Sequence, residues 1–153
     1  MESLESFLLN AEQNCQENEQ RLTQKRKLIL SALLISEKAL SAYEIIDYCK
    51  QTFSVKLPAM SVYRILEFLV EQGLVHKLEI ANRFIACEQN QLSEDSVTHQ
   101  YQYCIKCKQV KNIRIDPTLI EQLKIQLSHA GLNLKDPQLE LSCICEKCKQ
   151  AEE

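Results

Sequence analysis

The chain has 153 residues, 45% apolar and 25% charged, which suits one medium domain or two small ones and excludes a disordered chain. Its longest apolar runs, such as residues 32–35, fall far short of the roughly 20 residues of a membrane span. The acidic N-terminal stretch lacks the basic region of a secretory signal, so a cytoplasmic location is expected. The net charge of −3 hides an asymmetry, with five acids and no base in residues 1–20. Residues 21–64 hold eight Lys/Arg against three Asp/Glu. Such a stretch suits DNA phosphates and suits a solvated surface equally well, so charge permits DNA binding without proving it.

With two glycines and three prolines, helices should dominate. Residues 4–20 can form a first helix, with Leu4, Phe7, Leu8 and Ala11 on one face. Thr23 is a candidate N-cap for a second, in which Leu28, Ile29, Ala32 and Leu33 keep the helical period and Lys25, Arg26 and Lys27 turn mostly away. Ser41, with Glu44 three residues later, reads as a capping box for a helix from Ala42 to about Gln51. Pro58 opens another helix, whose Val62, Ile65, Leu66 and Leu69 make an apolar stripe before Gly73 stops it. Residues 74–79 and 83–87 then read as two strands of a hairpin. Three helices followed by such a hairpin form a winged helix-turn-helix, with the third helix offered to the major groove.

Residues 89–98 are polar and aperiodic and read as a linker, dividing a DNA-binding domain (1–88) from a second, α/β domain (99–153). That second part begins with strands at 101–105 and 110–115 and continues with a helix from Pro117 to Gly131. A strand at 139–141 and a turn or short helix at 145–149 close it. The expected class is α+β.

In a reducing compartment, paired cysteines read as metal ligands before disulfides. Cys104-x-x-Cys107 and Cys145-x-x-Cys148 are two matched pairs, and four thiolates suit tetrahedral, structural zinc. The alternatives are a redox pair or unrelated buried thiols. Cys143 offers a substitute ligand two positions before Cys145, although the matched spacing favours Cys145 and Cys148. Cys15 and Cys49 read as helix residues instead. A four-cysteine site is coordinatively closed, and there is no glycine-rich phosphate loop or His-Glu-x-x-His run. An enzyme acting on a small-molecule substrate is therefore not expected.

Ser41-Ala42-Tyr43-Glu44-Ile45, Leu57-Pro58-Ala59-Met60-Ser61-Val62-Tyr63-Arg64 and Gly73-Leu74-Val75-His76-Lys77 resemble the ferric uptake regulator family. Within it they are most similar to the bacterial zinc uptake regulators. Phe84-Ile85-Ala86-Cys87 and the two cysteine pairs continue the match in order, over about residues 22–148. The resemblance implies a homodimeric, zinc-responsive repressor that binds palindromic double-stranded operator DNA and controls metal uptake genes, with residues 99–153 as the dimerisation domain. Tyr63 and Arg64 lie on the expected recognition helix outside its apolar stripe, and Arg64 suits bidentate contact with guanine or phosphate. Tyr43 is implied as a contact from the preceding helix, and Ser61, Lys56 and Lys25 are phosphate candidates.

The resemblance also implies a second, regulatory zinc, for which His76, Cys87 and His99 are the matching ligands. The pattern departs at four places. Val97 stands where a histidine is frequent, Asn112 replaces the usual glutamate, Lys108 a common glycine and Pro137 another histidine. Glu94 or Asp95 could supply a fourth donor. His129 reads as a partner of a helix C-terminus, and Asp47 and Lys50, if exposed, as dimer–dimer contacts. Two other readings remain: a metal-insensitive paralogue that keeps only structural zinc, and a zinc-ribbon protein-interaction module.

Overall fold

The computed structural model describes residues 3–87, 99–135 and 139–152. The chain divides into two compact units, Met1–Gln89 and Asn90–Glu153. The expected linker, with Glu94, Asp95 and Val97, and Pro137 lie outside the described residues.

The first unit contains α1 (Leu4–Glu17), α2 (Gln24–Ser36), α3 (Ala42–Phe53) and α4 (Ala59–Glu71), then β1 (Val75–Leu78) and β2 (Arg83–Ala86). Thr23 caps α2 by accepting from Arg26 N, as the sequence indicates. Ser41 caps α3 by accepting from Glu44 N at 3.2 Å. The capping box is altered, because the Glu44 carboxylate accepts from the Ser41 hydroxyl and pairs with Arg83. Gly73, at φ 73°, ends α4 in a left-handed turn. Around it Leu74 N reaches Leu69 O and Gly73 N reaches Val70 O, both at 3.0 Å, the paired bonds of a Schellman stop.

Ile29, Leu30, Ile45, Val62, Leu66 and Leu69 are buried where these helices meet. Burial of each such side chain contributes about 1.5–3 kcal/mol. Cys15 and Cys49 are both fully buried and belong to this core. Arg26 and Lys27 are less free than the sequence suggests. Arg26 stacks on the Phe68 ring at 3.5 Å, and Lys27 pairs with Glu12 at 3.3 Å. The antiparallel hairpin β1–β2 is joined on one side by a bridge between Leu40 and Phe84, whose N–H groups donate to each other's carbonyls at 3.0 and 2.8 Å. Sequence patterning gives no sign of that bridge, because a single paired residue leaves no period to detect.

The second unit has β3 (His99–Cys104), β4 (Val110–Arg114), α5 (Pro117–His129), β5 (Glu140–Cys143) and α6 (Glu146–Gln150). Its sheet has the order β4-β3-β5, antiparallel between β3 and β4 and parallel between β3 and β5. Asp116 caps α5 through Thr118 N, with Pro117 at the first helical position. A second glycine stop, Gly131 at φ 78°, ends α5 at His129, two residues earlier than the pattern suggests. Tyr101, Tyr103 and Ile120 are buried here. No helix among the described residues is long and apolar enough to cross a membrane.

Candidate metal centre and DNA-binding face

Two tight turns build the metal centre. In the first, Cys104 N donates to Gln109 O at 2.9 Å and Lys108 N to Cys104 O at 3.0 Å, folding Cys104 and Cys107 to one side. Lys108 holds φ 66° there, a conformation glycine adopts without cost, and its Nζ donates to Ile105 O at 2.8 Å. In the second, Cys145 precedes the short helix α6, whose Lys149 N donates back to Cys145 O at 2.9 Å. The parallel register pairs Cys104 with Cys143, which carries the chain from β5 to Cys145 beside the first turn.

The sulfur atoms of Cys104, Cys107, Cys145 and Cys148 all lie within 4.8 Å of one another. Cys107 Sγ and Cys145 Sγ are 3.8 Å apart, close to the roughly 3.8 Å edge of a tetrahedron with zinc–sulfur bonds of about 2.3 Å. Cys143 is not in the cluster; it stands in the ladder opposite Cys104. The environment within the cluster is uneven. Backbone N–H groups of Cys107 and Cys145 lower the Cys104 thiol to about 6. Hydrogen bonding to Cys145 raises the Cys148 thiol to about 12. Four thiols in this arrangement fit one tetrahedral zinc ion and leave no open coordination position for hydrolytic chemistry.

The other expected ligands fall in separate units. His76 stands opposite Ile85 in the β1–β2 ladder, and Cys87 lies two residues beyond Ile85, so both occupy one face of the hairpin. Cys87 N extends the ladder to Leu74 O at 2.9 Å, and both side chains are half-buried. His99 begins β3 in the second unit, opposite Arg114 and two residues along β3 from Tyr101, which faces Asn112. The amide of Asn112 is buried, and neither its Nδ2 nor its Oδ1 has a hydrogen-bond partner among the described residues.

The outer surface of the first unit carries the DNA-contact candidates. Tyr43 on α3 is 66% exposed and Tyr63 on α4 is 42% exposed. Arg64, Lys56 and Lys25 are exposed as well, and Ser61 is half-buried. Val62, Leu66 and Leu69 on the opposite side of α4 are buried, so the helix is divided cleanly between core and surface. Asp47 and Lys50 are exposed on α3. Sequence reasoning missed two features of this face: the Glu44–Arg83 pair, and Met60, at 67% exposure.

A winged helix with the outer face of α4 exposed, combined with a closed four-thiol centre, defines a metal-binding transcription regulator. The sequence model of the ferric uptake regulator family matches residues 17–142, and the chain belongs to that family. It is a regulator and not an enzyme. The chain is 29% identical over 149 residues to the zinc uptake regulation protein of Escherichia coli strain K12, covering 97% of this chain and 84% of that one. A solved zinc uptake regulator complexed with zinc and DNA superposes with TM-score 0.79 at 27% identity, over 98% of this chain and 97% of that one. Holo XcZur gives TM-score 0.72 at 29% identity, over 95% and 98%.

Proposed function

We propose that this protein is a zinc-responsive repressor that binds palindromic operator DNA as a homodimer and controls metal uptake genes in the cytoplasm. The observation that carries this reading is the outer face of α4, where Tyr63 and Arg64 are exposed while the opposite face is buried. Arg64 takes the base-reading role, Tyr43 and Tyr63 make further DNA contacts from α3 and α4, and Lys25, Lys56 and Ser61 bind phosphates. The similarity to a regulator solved with zinc and DNA supports the same reading.

Zinc held by Cys104, Cys107, Cys145 and Cys148 supplies a crosslink that stabilises the C-terminal unit. Pairing of two chains is supported by the apolar surface of that unit, where Ile113, Leu119, Ile125, Leu132 and Leu141 are all exposed in the single chain. His76 and Cys87, neighbours on the wing, are proposed to bind a regulatory zinc with His99. A hundredfold change in operator affinity on zinc binding needs a coupling of about 3 kcal/mol. Operator affinity measured across buffered free-zinc concentrations tests the reading, and an affinity indifferent to zinc overturns the sensing role.

One observation favours a second reading, a metal-insensitive regulator that keeps only the structural zinc. Asn112 presents a neutral amide where the family's pattern has a glutamate ligand, and a neutral oxygen is a weaker donor to zinc than a carboxylate. Under that reading, replacing both His76 and Cys87 by alanine leaves operator affinity unchanged.

A further inference from the structure

Met60 is the second residue of α4, and at 67% it is the most exposed large apolar side chain among the described residues. Its place in the helix period is shared with Tyr63 and Arg64, three and four residues on, and is opposite the buried Val62, Leu66 and Leu69. The fold does not use this side chain for packing. The first turn of α4 also contains no acidic residue, whereas the first turns of α1 and α3 hold Glu5 and Glu44. An acid there would favour the helix dipole and oppose a phosphate backbone. The start of α4 is thus apolar at Met60, uncharged in its first turn and flanked by the cationic Arg64 and Lys56.

The N-terminal residues of a recognition helix meet base edges. The apolar group that a base pair presents in the major groove is the thymine C5-methyl, whose neighbours are polar donors and acceptors. A methionine side chain is unbranched and adapts its shape to such a contact. We propose that Met60 reads the C5-methyl of a thymine in each operator half-site. The inference rests on the DNA-binding reading of α4 and adds a specificity contact to it, with Arg64 taking the polar edge of a neighbouring base pair.

The test uses the full-length, zinc-loaded protein and duplexes selected from a random-sequence pool by the wild-type chain. Each thymine of the selected half-site is replaced in turn by deoxyuridine, which removes only the methyl group. Wild type should lose about fourfold in affinity at one position, the change expected from uncovering one methyl group. Met60→Ala should bind the thymine and deoxyuridine duplexes equally at that position. Met60→Leu should retain the penalty. A wild type indifferent to every replacement overturns the proposal, as does a Met60→Ala variant that keeps the full penalty. If the wild type enriches no duplex, the DNA-binding reading itself fails, a result distinct from both.

Discussion

Arg83, in the second strand of the wing, places Nη1 2.6 Å from Oε1 of Glu44 in the first turn of α3. The same Nη1 donates to Ala39 O at 3.1 Å, so one guanidinium ties together the wing, the start of α3 and the residue before the Leu40 bridge. Tyr43, the neighbour of Glu44, and the wing strands are thereby held in one frame.

Burial pushes the Glu44 carboxyl up, but the Arg83 hydrogen bond and charge, with the Ser41 bonds, outweigh it and the net shift is downward. A carboxyl lowered in the folded state stabilises that state above the ordinary glutamate range, near pH 4.3. The contribution is lost as pH falls through the lowered value. Arg83→Ala should cost about 1 kcal/mol at pH 7, because the pair is only partly buried. The difference from wild type should shrink below about pH 4. Urea unfolding midpoints of both proteins at the two pH values check it.

Cys148→Ser should remove one zinc per chain and unfold the C-terminal unit at moderate temperature, a loss of several kcal/mol for a site that binds metal as it folds. Cys143→Ser should leave the zinc content unchanged, since Cys143 stands outside the four-thiol cluster. Native mass spectrometry with a thermal melt distinguishes the two variants.

Arg64→Ala should cost about 1–3 kcal/mol in operator binding and relax discrimination at one base pair. Lys56→Ala should weaken binding to all sequences alike and reduce the salt-dependence slope by about one. Binding isotherms at several salt concentrations, on specific and scrambled duplexes, separate these effects.

Asn112→Glu should act in opposite directions with and without zinc. A carboxylate in a buried position with no partner destabilises the metal-free protein. If zinc reaches that position, the anionic donor should bring regulatory binding to lower free-zinc concentrations. Thermal melts and zinc titrations of the variant and wild type measure both directions.

Much of this architecture is written in local sequence signals. The Thr23 and Ser41 caps, the Val62–Leu66–Leu69 stripe, the Gly73 stop and the twin cysteine pairs each combine a residue type with a spacing. Each produces its element within a few positions. The Leu40–Phe84 bridge, the Arg83–Glu44 pair and the seat of Arg26 on Phe68 depend on residues 39 to 44 positions apart, where no period survives. The choice of Cys145 over Cys143 was legible only as a preference. The parallel ladder pairs Cys143 with Cys104, while the sulfur of Cys145 lies with those of Cys104, Cys107 and Cys148. Met60 shares the helical period of Tyr63 and Arg64, so its place off the apolar stripe is legible in the sequence, whereas the extent of its exposure is not.

The four-thiol clasp also sets an order of events during synthesis. Cys107 and Cys145 are 38 positions apart, and β5 can join the sheet only beside the already formed β3. A growing chain that has exposed Cys104 and Cys107 but not yet Cys145 and Cys148 carries a bare dithiol, open to oxidation and to the wrong metal. The helices of the first unit can pack earlier, domain by domain. The newborn protein can therefore fold its reading head before the clasp is able to close.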